Sequence, residues 1–290
     1  MSAAHVDVMI HGRTWWPWLL ILPSTVLLWT RTTRPIGLAG IVTGYALAAI
    51  LGQLSAIAGL WVALLAVAGW AILRGPTTWI RVIGHLLFLI TTVVLRLHLA
   101  PGFHNPLAMQ GDVSTGAVTY KAYFNLDKTL TAIWIVCCIR WLIDGTPPVR
   151  KAAIGCAYGV ATFLPLAVLA LLAGVVKFDP KLPEVTWLWA LNNVILVCFA
   201  EEALFRGYIQ HGLTHALRAY RWGPAFALVV ASILFGLSHI GEAITMQALS
   251  IVAGLGYGLA YRRAGLIGAI GAHALLNTCH FLLLSYPALA

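Results

Sequence analysis

Long apolar runs, separated by short polar segments, follow one another along the chain from Trp15 nearly to its end. A helix that crosses a hydrocarbon core of about 30 Å needs roughly 17 to 25 mainly apolar residues. The runs are continuous, whereas a membrane β-strand alternates apolar and polar positions, so the pattern predicts helices. It places spans near residues 15–30, 36–51, 54–73, 82–99, 129–143, 152–176, 187–205, 223–241, 244–261 and 264–285. We therefore expect an all-α, polytopic membrane protein of about 8 to 10 transmembrane helices.

Composition and charge agree with a membrane protein. Of the 290 residues, 61% are hydrophobic and 9% are charged, whereas soluble domains are about 25% charged. The net charge is +9, but the Lys and Arg residues stand singly or in pairs at span ends, which argues against a nucleic-acid partner. They are more frequent in the loops predicted to face inward, as the positive-inside rule requires. We expect a multi-pass protein of a bacterial inner (cell) membrane, with its N-terminal segment retained.

Intramembrane charge divides the chain into two parts. Residues 1–186 carry almost none and are interpreted as N-terminal transmembrane helices that form a variable extension, whereas residues 187–290 carry a cluster of charged and polar side chains. The connection 101–128 is interpreted as an ordinary loop. All cysteines lie in apolar runs without a CxxC pair, so we expect small buried side chains and neither a disulfide framework nor a thiolate zinc site.

Two adjacent glutamates, Glu201 and Glu202, lie in the seventh apolar run. A charged side chain inside a span costs about 2.5 to 3.5 kcal/mol on insertion scales, so each glutamate needs a partner or a function. Glu202 and Arg206 are four residues apart and share a helix face, which predicts an ion pair. Glu201 has no basic residue at that spacing, so its partners are expected on other helices. A buried carboxylate in this position can take a proton from water, as a general base does.

Polar residues with helical spacing also occur on two later spans. Phe235 and His239 are four residues apart and are predicted to share one face of the next span. On the last span His273 and Asn277 are four residues apart, and His280 follows on nearly the same face. Three spans thus offer a glutamate, a histidine, and a histidine with an asparagine.

These side chains support two routes of carbonyl hydrolysis, which the residues alone leave open. Glu201, His239 and His273 can orient and deprotonate a water molecule while a hydrogen-bond donor stabilises the oxyanion. The same three side chains are also candidate ligands of a divalent metal such as Zn²⁺. No cofactor is certain on this basis.

Three ordered motifs resemble those of a known family. EExxxR is present as "EEALFR" (201–206), FxxxH as "FGLSH" (235–239) and HxxxN as "HALLN" (273–277). The chain thereby resembles the CPBP family of CAAX proteases and bacteriocin-processing enzymes, which includes type II CAAX prenyl endopeptidases, over roughly its last hundred residues.

The resemblance implies a helical intramembrane endopeptidase with a buried polar catalytic cavity in a core formed by residues 187–290. It implies that Glu201 activates water together with His239, and that His273 and Asn277 line the same cavity and stabilise the oxyanion. Three residues are interpreted as supporting the site: Glu202, Arg206 and Phe235. The implied substrate is a membrane-embedded or lipidated peptide within the lipid bilayer. Members of the family have been described both as metalloproteases and as metal-independent glutamic proteases, so metal use stays open.

Other interpretations compete with a protease. A non-enzymatic membrane scaffold or bacteriocin-immunity protein would keep the same fold and use the polar cluster for packing, and a proton-coupled transporter would use the buried carboxylate as a relay. A Ser238–His239 dyad is disfavoured because adjacent helical residues diverge by about 100°. His211 and His215 lie in a basic inner loop, away from carboxylates, and are not expected to bind a metal.

Overall fold

The structure is a computed structural model that describes residues 5–138 and 148–290, and the chain is mostly helical. Four of the described helices are long and apolar enough to cross a membrane: Thr78–Arg96, Pro148–Leu172, Thr186–Ala216 and Ile244–Leu283. Three shorter apolar helices are Arg34–Ile50, Ala58–Arg74 and Gly223–Leu237. The protein is thus an integral membrane protein, while the expected total of about 8 to 10 spans stays a prediction.

The helices are numbered in chain order. They are α1 (Trp16–Leu27), α2 (Arg34–Ile50), α3 (Ala58–Arg74), α4 (Thr78–Arg96), α5 (Leu126–Cys138), α6 (Pro148–Leu172), α7 (Thr186–Ala216), α8 (Gly223–Leu237) and α9 (Ile244–Leu283). Two of them differ from the predicted spans by more than a shift of a few residues at their ends. The helix predicted to end near residue 205 continues to Ala216, and the last two predicted spans are joined into α9.

The described chain forms two compact units. The first unit holds residues 10–108 and 123–138, and therefore α1 to α5. Within it α1 packs on α2 and α3 packs on α4. Trp134 of α5 donates from Nε1 to the carbonyl oxygen of Leu65 at 2.7 Å and stacks on Phe88 at a centroid distance of 4.1 Å.

The second unit holds residues 5–9, 109–122 and 148–290, and therefore α6 to α9. In this unit α6 packs along α9, while α8 packs against both α7 and α9. All the predicted site residues lie in the second unit. The division by function into residues 1–186 and 187–290 stays a prediction.

A small three-stranded sheet corrects the all-α expectation. Its strands are β1 (His5–Val8), β2 (Leu107–Asp112) and β3 (Tyr120–Tyr123), in the order β1-β2-β3. β1 and β2 are antiparallel, with Val8 opposite Met109. The connection 101–128, predicted as an ordinary loop, therefore contains two strands. They are too short to be recognised by alternation among long apolar runs.

Small residues let α6 and α9 approach each other closely. A Cβ atom added at Gly155 would lie 2.2 Å from the carbonyl oxygen of Gly268, and one at Gly159 would lie 2.8 Å from that of Ala272. Helix α9 is broken at Gly265, whose φ of 64° and ψ of −160° are not helical. A left-handed φ of this kind favours glycine because a Cβ would clash with the backbone. The break lies where the sequence predicted the boundary between two spans.

The close approach of α6 and α9 leads to a stability prediction. Replacing Gly155 by alanine is expected to lower the free energy of unfolding by about 1–3 kcal/mol, because the obstructing atom belongs to a backbone that moves only with its helix. Gly212→Ala is the matched control, since a Cβ at this helical glycine meets nothing within 4 Å, and that substitution should leave stability unchanged or slightly higher. Denaturant unfolding in detergent measures both. Equal effects of the two substitutions would show that the packing is looser than described.

Cysteine burial follows the prediction only in part. Cys198 is buried, Cys137, Cys138 and Cys279 are half-buried, and Cys156 is exposed. All five are free thiols. Cys156 belongs to α6, whose outward side also exposes apolar residues such as Leu164 and Leu172. An apolar outward face is typical of a helix that contacts lipid.

An aromatic cluster links the start of α7 to the end of α9. Trp189 of α7 stacks on Phe281 of α9 at a centroid distance of 4.1 Å. The Trp189 Nε1 donates to the hydroxyl oxygen of Tyr286 at 3.2 Å. Burial raises the pKa of the Tyr286 phenol, so this hydroxyl stays neutral at physiological pH. Trp189 precedes Asn193 by one turn and Phe281 follows Asn277 by one turn, so the cluster lies beside the polar residues described next.

Candidate active site

Helix α7 has an unusual local geometry around the two glutamates. Asn192–Cys198 and Ala203–Gln210 are π-helical and flank a single α-helical turn, Phe199–Glu202. π-helical turns are rare and often occur at functional sites. They also change the directions of side chains relative to an ordinary helix, so a helical wheel of this segment misplaces residues on either side of Glu201.

Glu202 and Arg206 form the predicted ion pair, and both side chains are fully buried. The Arg206 Nη1 donates to Glu202 Oε1 at 3.1 Å, with 0% exposure of either side chain. The Arg206 Nη2 donates to the carbonyl oxygen of Gly254 on α9 at 2.9 Å. The pair thus joins α7 to the first half of α9. Breaking it would leave a charge in a medium of low dielectric constant.

His273 lies between the two glutamates. Its Nδ1 donates to Glu202 Oε1 at 2.8 Å, because an ionised carboxylate only accepts hydrogen bonds. The other ring nitrogen, Nε2, lies 4.0 Å from Glu201 Oε2, which is longer than a hydrogen bond. Glu202 therefore orients His273 so that Nε2 points toward Glu201. The sequence assigned Glu202 to Arg206 and missed this second partner.

The side chains of the two glutamates differ in their exposed fraction. The Glu201 side chain is 13% exposed, whereas that of Glu202 is 0% exposed. Only Glu201 is therefore accessible from the surface of the protein. The reacting role of Glu201 and the supporting role of Glu202 stay predictions.

His239 does not lie on the span where it was predicted. Helix α8 ends at Leu237, and a turn follows in which the backbone N–H of Glu242 donates to the carbonyl oxygen of His239 at 3.2 Å. Gly241 in this turn has a φ of 95°. The His239 ring still contacts Phe235 at a centroid distance of 4.9 Å, and its Nδ1 donates to the Phe235 carbonyl oxygen at 2.9 Å. The Nε2 of His239 is thus the nitrogen left for chemistry.

The Phe235 ring contacts the rings of both His239 and His273. Its ring stands edge-on to that of His239 and also to that of His273, with centroid distances of 4.9 Å and 5.6 Å. The Arg206 guanidinium carbon lies 4.6 Å from the Phe235 centroid, within the range of a cation–π contact. Phe235, predicted as a supporting residue, therefore contacts three members of the polar cluster.

Asn277 is held against α7. Its Nδ2 donates to Asn193 Oδ1 at 3.0 Å and lies 3.9 Å from the Cys198 sulfur. An asparagine amide has two N–H donors, of which one bonds Asn193 and the other has only the weak acceptor sulfur of Cys198 as its partner. The oxyanion role predicted for Asn277 stays a prediction. Asn193 was not singled out in the sequence, although an asparagine inside an apolar span is the signal that could have identified it.

Tyr257 is the other residue that sequence reasoning missed. It stacks on His273 with a centroid distance of 4.4 Å and an interplanar angle of 15°, and its centroid lies 5.4 Å from the Arg206 guanidinium carbon. It stands between two glycines in "GLGYGL".

The other three histidines considered from the sequence, His280, His211 and His215, have different contacts. His280 Nε2 is 3.3 Å from the carbonyl oxygen of Ser285, and its ring contacts Tyr286. His211 Nδ1 is 3.1 Å from the Tyr261 hydroxyl, whereas His215 Nε2 accepts from Arg218 Nη1 at 2.8 Å. The two histidines of "HGLTH" thus have different partners.

Glu201, His239 and His273 are the candidate metal ligands. Among residues 5–138 and 148–290, no group of three or more His, Cys, Asp or Glu side chains is placed to hold a metal ion. Glu201, His239 and His273 therefore do not form the three-ligand set expected of a catalytic zinc site. Use of a divalent metal such as Zn²⁺ is the alternative that the sequence left open, and the reaction proposed below uses none.

Comparison with known proteins gives one match. Residues 183–279 match the family model described as type II CAAX prenyl endopeptidase Rce1-like. Searches of curated proteins and of solved structures gave no match to the chain. The matched segment contains all three sequence motifs, and the resemblance to the CPBP and CAAX protease family is thereby confirmed.

Proposed function

We propose that residues 183–279, which match the type II CAAX prenyl endopeptidase Rce1-like family model, form a hydrolase domain. This domain cleaves a peptide bond of a membrane-associated or lipidated peptide with water activated by Glu201. The observation that carries the proposal is the linked arrangement of Glu202, His273 and Glu201. A fully buried carboxylate fixes an imidazole whose free nitrogen points toward a second, partly accessible carboxylate.

In the proposed reaction Glu201 accepts a proton from water, and the water oxygen attacks the carbonyl carbon of the peptide bond. The negative charge that develops on the carbonyl oxygen is stabilised by the Asn277 amide. His273 lines the site with its Nε2 as an acceptor, because its proton lies on Nδ1 and is donated to Glu202. The proton then passes to the leaving nitrogen by way of His239 as the C–N bond breaks. The products are a carboxylate and an amine, so one water molecule is consumed in each cycle.

The supporting residues fix the reacting groups. Arg206 neutralises Glu202 and bonds Gly254, which holds α7 against α9. Phe235 contacts both imidazoles. Positioning of this kind matters because displacement of a reacting group by about 1 Å can cost about 10²-fold in rate.

The proposed substrate is an extended segment at the membrane. An intact helix keeps its amides hydrogen-bonded, so a peptide bond buried in lipid must be exposed before water can attack it. An extended tail carrying a lipid group meets that requirement and brings its own membrane anchor. We place the protein in a bacterial inner membrane, with lipid as its surroundings and no nucleic-acid partner.

A quenched peptide library with lipidated and plain members tests the proposal. Purified wild-type protein in detergent is expected to cleave lipidated members with the higher kcat/KM, and Glu201→Gln protein provides the background. Activity should persist in a metal chelator, whereas loss that added Zn²⁺ restores would overturn the metal-free route. No cleavage by wild-type protein, while another CAAX endopeptidase cleaves the same library, would favour the non-enzymatic scaffold.

A further inference from the structure

We infer that Tyr257 is a positioning residue that fixes the plane of the His273 imidazole, an assignment that rests on the proposed hydrolytic function. Tyr257 belongs to none of the three motifs. It lies on the first half of α9, before the break at Gly265, whereas His273 lies on the second half. The contact between them therefore also joins the two halves of the broken helix.

Three contacts define the orientation of the His273 ring. The Glu202 carboxylate accepts from Nδ1 at 2.8 Å, Phe235 stands at 90° to the ring, and Tyr257 lies nearly parallel to it at 4.4 Å. The χ2 torsion of histidine is broad, so a single hydrogen bond leaves the ring free to tilt about Nδ1. A parallel ring in van der Waals contact removes that tilt. Nε2 is thereby held at its position near Glu201.

The backbone on both sides of Tyr257 is held by neighbouring helices. A Cβ added at Gly256 would lie 2.1 Å from Thr162 Oγ1 of α6, and one at Gly258 would lie 2.2 Å from Leu228 Cδ1 of α8. Helix α9 thus approaches α6 and α8 closely around this residue. The Tyr257 side chain is only 1% exposed. The sequence Gly-Tyr-Gly therefore sets a rigid aromatic surface against the imidazole.

The assignment concerns the aromatic ring and not the hydroxyl group. Tyr257→Phe keeps the ring and is expected to keep kcat within about twofold of wild type, whereas Tyr257→Leu removes the ring and is expected to lower kcat about 10- to 100-fold. KM should stay within about threefold in both variants, because the imidazole acts in the chemical step. Tyr261→Leu is the matched control, since Tyr261 lies one turn further along the same helix and contacts His211.

Steady-state kinetics with the lipidated peptide test this assignment. The expected result is a loss of kcat in Tyr257→Leu, rescue in Tyr257→Phe, and wild-type kcat in Tyr261→Leu, with a cooperative unfolding transition above the assay temperature for all three. Wild-type kcat in Tyr257→Leu would overturn the assignment. So would an equal loss in Tyr257→Phe, because that result would transfer the role to the hydroxyl group.

A second measurement does not depend on peptidase activity. Protein with ¹⁵N-labelled histidine, compared with His273→Gln protein, gives the ring-nitrogen signals of His273 by NMR. Wild-type and Tyr257→Phe proteins are expected to show one sharp Nε2 signal. Tyr257→Leu protein is expected to show a broadened or split Nε2 signal, because its imidazole tilts about the retained Nδ1 hydrogen bond. A single, unbroadened Nε2 signal in Tyr257→Leu would overturn the assignment. If wild-type protein cleaves no peptide but the Nε2 signal changes as expected, the proposed function fails and the positioning contact stands.

Discussion

Replacing Glu201 by glutamine is expected to reduce kcat/KM for peptide cleavage by about 10²- to 10⁴-fold, the usual contribution of a general base. Glutamine has nearly the same size as glutamate but does not accept a proton from water at neutral pH. The fold should be preserved, because the fully buried pair of Glu202 and Arg206 is untouched by the substitution. The effect is therefore expected in catalysis and not in stability.

The control for this substitution is another acid of the same domain. Glu184 is exposed and precedes α7, and Glu184→Gln should leave kcat/KM within about twofold of wild type because exposed substitutions seldom have large effects. Initial rates with a quenched lipidated peptide compare the three proteins, and thermal unfolding checks that each is folded. Full activity in the Glu201→Gln protein would exclude Glu201 as the base.

Replacing Arg206 by methionine is expected to cost about 3–5 kcal/mol of unfolding free energy, because it leaves the Glu202 carboxylate buried without its counter-charge. The substitution also removes the hydrogen bond to the Gly254 carbonyl oxygen, so α7 loses a link to α9. Loss of activity should accompany the loss of stability. Denaturant unfolding in detergent, with the native state followed by tryptophan fluorescence, measures the effect.

Two further variants separate charge from packing. Arg218→Met alters an exposed arginine that contacts His215, and it should change stability by no more than about 0.5 kcal/mol. The double substitution Glu202→Leu with Arg206→Met removes both charges, so it should recover much of the lost stability. It should not recover activity, because His273 then lacks the carboxylate that accepts from Nδ1. Recovery of activity in the double variant would disprove the orienting role of Glu202.

Local spacing predicted the contacts that occur within one helix. The ion pair between Glu202 and Arg206 follows from their separation of four residues, and the ring contact between Phe235 and His239 follows from the same spacing, although His239 lies beyond the end of α8. The order of the motifs identified the family, and the match over residues 183–279 agrees with it.

Contacts between different helices could not be predicted from local spacing. Glu202 and His273 are 71 residues apart, and their contact depends on how far each helix is rotated about its axis. The π-helical turns of α7 and the break at Gly265 in α9 both alter that rotation. A helical wheel assumes a regular helix, so it did not indicate that Tyr257 faces His273. The strands β2 and β3 were likewise not predicted, because they are short and lie among long apolar runs.

Chemical analysis of the new peptide ends tests the central claim most directly. Wild-type and Glu201→Gln proteins are reconstituted in lipid bilayers with a lipidated peptide, and the products are identified by mass spectrometry. Hydrolysis by Glu201-activated water predicts one complementary pair of new ends with wild-type protein, a free carboxylate and a free amine, and none with the variant. Appearance of the same pair at the same rate with Glu201→Gln protein would contradict it.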